Sequence, residues 1–167
     1  PIAMLGENTI EQALLGLGAT LVGVPFAPVS AAYARPGQGF AKLRHILGVV
    51  RPGLIFIDTW RRYADAREAF DETGAEIVVA EGAPAEAGAT RFAALTSGTP
   101  GPAVDAAAAR VCPDTIVKIL FTSGSTGKPK GVINTQGMIC TNQTQIASGW
   151  SFLRKTPPVL LEWLPWS

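Results

Sequence analysis

Short continuous apolar runs alternate along the chain with stretches of helical spacing. Met4-Leu5 close a first apolar run, and Asn8 is the expected N-cap of a helix over residues 9–22. In that helix Ile10, Leu14, Leu17 and Leu21 recur at one apolar stripe. Residues 22–29 read as a short strand broken by Pro25 and Pro28. Phe40, Leu43, Leu47 and Val50 predict a second helix, and Pro52-Gly53 a turn. Leu54-Ile55-Phe56-Ile57 and Glu76-Ile77-Val78-Val79-Ala80 have the unbroken apolar character of strands buried on both faces. Between them, Thr59 is the expected cap of a third helix that carries Tyr63, Ala66 and Phe70 and ends near Gly74. Residues 81–113 have few large apolar side chains and predict a long connection with one or two short helices. A further strand is expected over 115–121, and a helix beginning near Thr135.

Strands separated by helices predict an α/β fold, a mostly parallel sheet with flanking helices. In such sheets ligands bind where loops leave the carboxyl ends of strands. The loop after residue 121 is therefore the first place to look for chemistry.

Composition narrows the picture. The chain has 167 residues, 47% of them hydrophobic, with 14 Lys and Arg against 13 Asp and Glu. That is one domain's worth of chain with material for a core. It lacks the basic excess of a nucleic-acid binder. Two uncharged runs, residues 12–34 and 131–153, are interrupted by glycine and proline or by amide side chains and do not qualify as membrane spans. Cys112 and Cys140, far from a Cys-x-x-Cys spacing, read as two free thiols of a cytoplasmic protein. An apolar start at Pro1 without methionine, and a stop after Leu164-Pro165-Trp166-Ser167, suggest a fragment.

The expected 115–121 strand runs into Thr122-Ser123-Gly124-Ser125-Thr126-Gly127-Lys128-Pro129-Lys130-Gly131. Glycines let backbone N–H groups turn toward an anion, hydroxyls donate to phosphate oxygens, and lysines supply charge. A helix starting near Thr135 would add a positive dipole end. The chemistry is that of a phosphate cradle; a plain Gly/Ser turn is the alternative. The P-loop pattern fails because Pro129 follows Lys128. The dinucleotide fingerprint fails because Gly124 and Gly127 are followed by Gly131. The nucleophile elbow fails because Ser123 stands where its first glycine belongs, and His45 is the single histidine.

The stretch from Phe121 to Val132 resembles the phosphate-loop signature of the adenylate-forming superfamily, which includes acyl- and aryl-CoA synthetases, luciferases and peptide-synthetase adenylation domains. Two further stretches are similar to feruloyl-CoA synthetases. One is Val24-Pro25-Phe26-Ala27-Pro28-Val29-Ser30 with Lys42-Leu43-Arg44-His45-Ile46. The other is Val132-Ile133-Asn134-Thr135-Gln136 with Asn142-Gln143 and then Trp163-Leu164-Pro165-Trp166. Gln136 departs from the histidine more common in the superfamily.

The resemblance implies a partial N-terminal, AMP-binding domain over residues 1–167, with its phosphate loop at 121–132 and the C-terminal domain absent. It implies an ATP-dependent acid–CoA ligase that adenylates a hydroxycinnamate and transfers it to coenzyme A. The alternatives are another acyl-CoA synthetase or a non-catalytic phosphate-binding remnant. ATP, Mg2+ and coenzyme A would serve the full-length parent, with small molecules rather than nucleic acid or membrane as partners. Thr122, Ser123, Gly124, Ser125, Thr126, Gly127 and Lys130 would hold the β- and γ-phosphates, while Lys128 stands at a position the family varies. The segments expected to hold adenine, ribose and magnesium, and the catalytic lysine, are not found in this sequence, so the fragment is expected to be inactive alone.

Other residues have plainer readings. His45 falls off its helix's apolar stripe, as a solvated or locally bonded residue. Arg61, Arg62 and Arg67, beside Asp65, Glu68 and Asp71, read as a solvated face. Trp163 and Trp166 are expected in the core, with the rim of an acyl pocket as the alternative, and Cys140 is expected in the core. Asn134, Gln136, Asn142 and Gln143 either line substrate or cap a helix.

Overall fold

A computed structural model describes residues 1–35, 39–123, 127–156, 158, 159, 161 and 164–166. The expected α/β architecture is present. In chain order the elements are β1 (Ile2–Leu5), α1 (Ile10–Val22), β2 (Phe26–Val29), α2 (Ala41–Val50), β3 (Leu54–Thr59), α3 (Trp60–Tyr63), α4 (Arg67–Asp71), β4 (Glu76–Glu81) and β5 (Thr90–Arg91). They continue with α5 (Phe92–Leu95), α6 (Pro102–Ala108), β6 (Ile116–Thr122), β7 (Lys130–Thr135) and α7 (Gln136–Gly149). The seven strands form one sheet in the order β5-β4-β3-β1-β2-β6-β7. Every neighbouring pair is parallel except β6 and β7.

β1 lies between β2 and β3, Ile2 pairing with both Phe26 and Leu54, and all four of its residues are buried. A strand covered on both faces has no polar side, which is why its sequence does not alternate. On one face Leu5, Val29, Ile55, Ile57 and Val79 meet Leu43, Ile46 and Leu47 of α2 and Phe70 of α4. On the other face Met4, Phe56 and Val78 pack with Ala19 of α1 and Phe92. The Phe56 and Phe92 rings meet edge to face at 5.8 Å.

The first helix turns the opposite way from its apolar pattern. Gln12, Gly16 and Ala19 are its buried residues, whereas Ile10, Leu14, Leu17 and Leu21 are 53–74% exposed. Small side chains line the buried face: a Cβ on Gly16 would stand in ordinary contact, 3.5 Å, with the Phe26 ring, and Ala19 packs against the sheet beside it. The helix is capped by Thr9, whose hydroxyl accepts from the Gln12 N–H at 3.2 Å, and not by Asn8. Asn8 instead bridges to the chain's end: its Nδ2 donates to the Leu164 carbonyl at 2.8 Å and its Oδ1 accepts from the Trp166 N–H at 3.0 Å.

Other expectations shift with packing. The third helix is interrupted by a 3-10 turn at Ala64–Ala66, and the Thr59 side chain caps nothing. Its charged residues largely form the expected solvated face: Arg61, Arg62, Asp65, Glu68 and Asp71 are exposed, Arg67 pairs with Asp71 at 2.6 Å and donates to the Ala87 carbonyl, and Arg62 also reaches inward to the buried Asp58. The long connection holds two short helices and also β5, which adds an edge strand beside β4. Cys140 is exposed and not in the core, because α7 buries none of its described side chains; both cysteines are free. Trp166 is 44% exposed, and Trp163 lies outside the described residues.

Candidate functional site

β6 and β7 form an antiparallel hairpin whose register sets Thr122 opposite Lys130 and Phe121 opposite Gly131. Positions eight apart in sequence therefore become cross-strand neighbours, with residues 123–129 linking them. The link leaves the carboxyl end of β6, on the same edge where β1, β2, β3 and β4 end, because β6 runs parallel to β2. This is the edge at which an open α/β sheet receives ligands.

Thr122, Ser123, Gly127, Lys128 and Lys130 are all exposed along this link. Among the described residues neither lysine has an ion pair, and neither the Thr122 nor the Ser123 hydroxyl has a side-chain hydrogen bond. Gly124, Ser125 and Thr126 lie outside the described residues. Gly127 has φ +80°, where a Cβ is strained. Gly131 is required for another reason. A Cβ on it would stand 2.8 Å from Ile119 Cγ2 and 3.5 Å from the Phe121 ring, so these two β6 side chains occupy the space a side chain at 131 would need.

Pro129 is buried, and its carbonyl oxygen lies 3.0 Å from His45 Nε2 on α2. His45 was expected to be solvated or bonded within its own helix; it is half-buried and bonded 84 positions along the chain. Nothing in the local sequence indicates this partner, because only the tertiary fold brings α2 beside the exit of the hairpin.

The start of α7 is where the sequence places it. The Thr135 hydroxyl accepts from the Met138 N–H at 3.4 Å. Its expected contribution to the loop is not found, because β7 intervenes. Thr135 pairs with Ile116, at the far end of the hairpin from Lys130. Five residue steps of about 3.4 Å put that helix terminus about 17 Å from the loop, beyond the reach of a terminal dipole. The amide patch is likewise dispersed. Gln136 Nε2 donates to the Thr20 carbonyl at 3.2 Å and Asn134 Nδ2 to the Val132 carbonyl at 3.2 Å, while Asn142 and Gln143 are exposed on α7.

A second polar cluster stands on the same sheet edge and was not apparent from the sequence. Asp58, 4% exposed near the end of β3, accepts from the Glu7 N–H at 2.9 Å, the Thr59 N–H at 2.6 Å and Arg62 at 2.5 Å. Arg62 also meets Glu7 at 3.3 Å. The cluster ties the turn after β1 to the end of β3. Burial, together with the nearby Asp58 charge, pushes the neighbouring Tyr63 hydroxyl up to about 12. Arg62 lies near that hydroxyl without hydrogen-bond geometry, and the hydroxyl has no partner among the described residues. The one signal in the sequence is a lone carboxylate directly after four apolar strand residues.

All 167 residues match the AMP-binding enzyme family. The chain belongs to that family. It is 31% identical over 142 residues to an indoleacetate–CoA ligase of Aromatoleum aromaticum, covering 84% of this chain and 26% of that protein. It is 33% identical over 117 residues to the nonribosomal peptide synthetase-like enzyme fsqF of Aspergillus fumigatus, covering 64% of this chain and 8% of that one. The chain thus spans about a quarter or less of the length of these relatives. Among solved structures it resembles a long-chain-fatty-acid–CoA ligase (FadD1) of Archaeoglobus fulgidus, with TM-score 0.66 and 20% identity over 90% of this chain and 27% of that one. A red-emitting luciferase of Phrixothrix hirtus superposes with TM-score 0.60 at 19% identity, over 80% of this chain and 25% of the luciferase. The sheet and its flanking helices are those of the N-terminal domain of adenylate-forming enzymes. Among the described residues no helix is long and apolar enough to cross a membrane.

Proposed function

We propose that this chain is the phosphate-binding part of an ATP-dependent acid–CoA ligase, within that enzyme's N-terminal domain. The observation that carries the reading is the β6–β7 hairpin. It presents the Thr122 hydroxyl and the Lys130 ammonium, unpaired among the described residues, across from each other at the ligand-receiving edge of the sheet. An ammonium with no carboxylate partner among the described residues, beside the exposed Thr122 and Ser123 hydroxyls and a positive-φ glycine, is suited to a multiply charged phosphate chain.

In the proposed reaction a carboxylate oxygen attacks the α-phosphorus of ATP, the α–β phosphoanhydride bond breaks, and pyrophosphate leaves. The thiol sulfur of coenzyme A then attacks the acyl carbonyl and displaces AMP. Thr122, Ser123, Gly127 and Lys130, with Gly124, Ser125 and Thr126, hold the β- and γ-phosphates and stabilise charge gathering on the departing pyrophosphate. Mg2+ bound to the nucleotide would neutralise part of that charge. Among the described residues no group of three or more His, Cys, Asp or Glu side chains stands together, and Mg2+ would be held largely by phosphate and water oxygens.

The acid we propose is ferulate or a related hydroxycinnamate. Support comes from the two stretches similar to feruloyl-CoA synthetases and from the relative named for an aromatic acid, indoleacetate. The match to a peptide synthetase-like enzyme favours a second reading, in which the same adenylation serves an acceptor other than coenzyme A. The test is ATP–pyrophosphate exchange by the full-length protein carrying these residues, with ferulate, indoleacetate and amino acids as substrates. Thioester formation with coenzyme A is then measured for the preferred acid. Lys130→Ala should slow exchange about tenfold to a hundredfold, the loss of one charge-assisted contact to the leaving group. Exchange indifferent to Lys130→Ala would refute the phosphate role, and exchange without thioester would favour the second reading.

A further inference from the structure

The His45–Pro129 contact lies outside the set of loop residues and has no counterpart in the chain's local sequence. α2 is a firm platform: Leu43, Ile46, Leu47 and Val50 are buried in the core. Arg44 holds its flank, donating to Glu72 at 2.9 Å and to the Gly39 carbonyl at 3.1 Å. From this platform the half-buried His45 ring meets the carbonyl of buried Pro129 at 3.0 Å. A carbonyl only accepts, so the ring must carry its proton on Nε2. Pro129 has no N–H of its own and immediately precedes the first ladder pair, Thr122 with Lys130. Whatever fixes the Pro129 carbonyl therefore also fixes the backbone that launches Lys130.

We infer that His45 is a positioning residue for the phosphate loop: its Nε2–H bond to Pro129 ties the loop's exit to α2 and so sets where Lys130 meets the phosphates of ATP. The inference rests on the phosphate reading of the hairpin. It assigns His45 no contact with substrate and no part in proton transfer.

Two measurements test it. His45 is the single histidine of these 167 residues, and in the full-length protein its ring 15N pair is identified as the pair lost in the His45→Gln variant. The expected result is a proton on Nε2; a neutral ring protonated on Nδ1 alone would overturn the inference. The second measurement is ATP–pyrophosphate exchange by the full-length protein with His45→Phe, His45→Gln and Lys130→Ala. His45→Phe should raise KM for ATP about fivefold, the equivalent of one hydrogen bond, and leave KM for the carboxylic acid unchanged. His45→Gln, whose amide can donate to the same carbonyl, should restore most of the loss. A Gln variant as impaired as the Phe variant, or an equal rise in both KM values, would assign His45 to packing and overturn the inference. Thermal melts of each variant separate misfolding from mispositioning. If Lys130→Ala slows exchange while both His45 variants match wild type, the inference falls alone. If wild type does not exchange, or Lys130→Ala changes nothing, the phosphate reading falls and takes this inference with it.

Discussion

Replacing Asp58 with alanine tests how the carboxyl edge of the sheet is held together. The carboxylate is almost fully buried and accepts three hydrogen bonds: from the Glu7 N–H, the Thr59 N–H and Arg62. Alanine leaves both backbone donors without their acceptor. Each costs about 1 kcal/mol in net terms, and more where water cannot reach it. The Arg62 guanidinium is 37% exposed and can recover solvation, so its share is held to about 1 kcal/mol rather than the larger value of a buried pair. The sum is about 3 kcal/mol. With a urea m-value of about 2 kcal/mol per molar, the unfolding midpoint should drop by about 1.5 M. Asp58→Asn is the internal control. It can keep an oxygen toward Glu7 and Arg62 while losing only the Thr59 bond, and should cost about 1 kcal/mol. Circular dichroism in urea gives both numbers. An alanine variant within 1 kcal/mol of wild type, or an asparagine variant as unstable as alanine, would refute the account of this cluster.

Two further predictions concern single positions. Gly131→Ala should destabilise the hairpin by about 1–2 kcal/mol, since its Cβ would stand 2.8 Å from Ile119 Cγ2; Ile119→Ala in the same chain should relieve most of that strain, as measured by urea unfolding of the double variant. Tyr63 binds its proton more tightly folded than unfolded, with a folded value of about 12 against an ordinary 10.0, so stability is kept below pH 10 and falls as pH rises toward 12. Tyr63→Phe should flatten that alkaline decline; an unchanged slope between pH 10 and 12 would show that the Tyr63 hydroxyl does not cause it.

The strands were legible because they are buried on both faces. Leu54 to Ile57 and Ile77 to Val79 carry uninterrupted apolar character, and no other arrangement of such short runs satisfies it as well as a central parallel strand. The chemistry of residues 122–131 could be read because its hydroxyls, glycines and lysines are contiguous in sequence, and the hairpin that carries them sets Thr122 opposite Lys130. β7 was not legible, since residues 130–135 are largely exposed on an edge strand and carry no burial pattern. Missing it also misplaced the dipole of α7, which lies at the opposite end of the hairpin.

The α1 stripe shows where periodicity stops short. Spacing identifies a helix and an apolar face, but it does not decide which face meets the sheet. Gly16 and Ala19 face the sheet, with Gly16 over Phe26, and Leu14 and Leu17 lie outward. Asp58 and His45 mark the same boundary. Each makes its decisive bonds to residues distant in sequence, Glu7 in one case and Pro129 in the other. The sequence by itself determined the parallel α/β class, through the burial period of its strands, and pointed to the family through the contiguous stretch from Phe121 to Val132. The tertiary structure alone decided which helix face is buried, that Thr122 stands opposite Lys130, and that His45 meets the Pro129 carbonyl. Those outcomes depend on strand register and interatomic distance, and neither is encoded in any single segment.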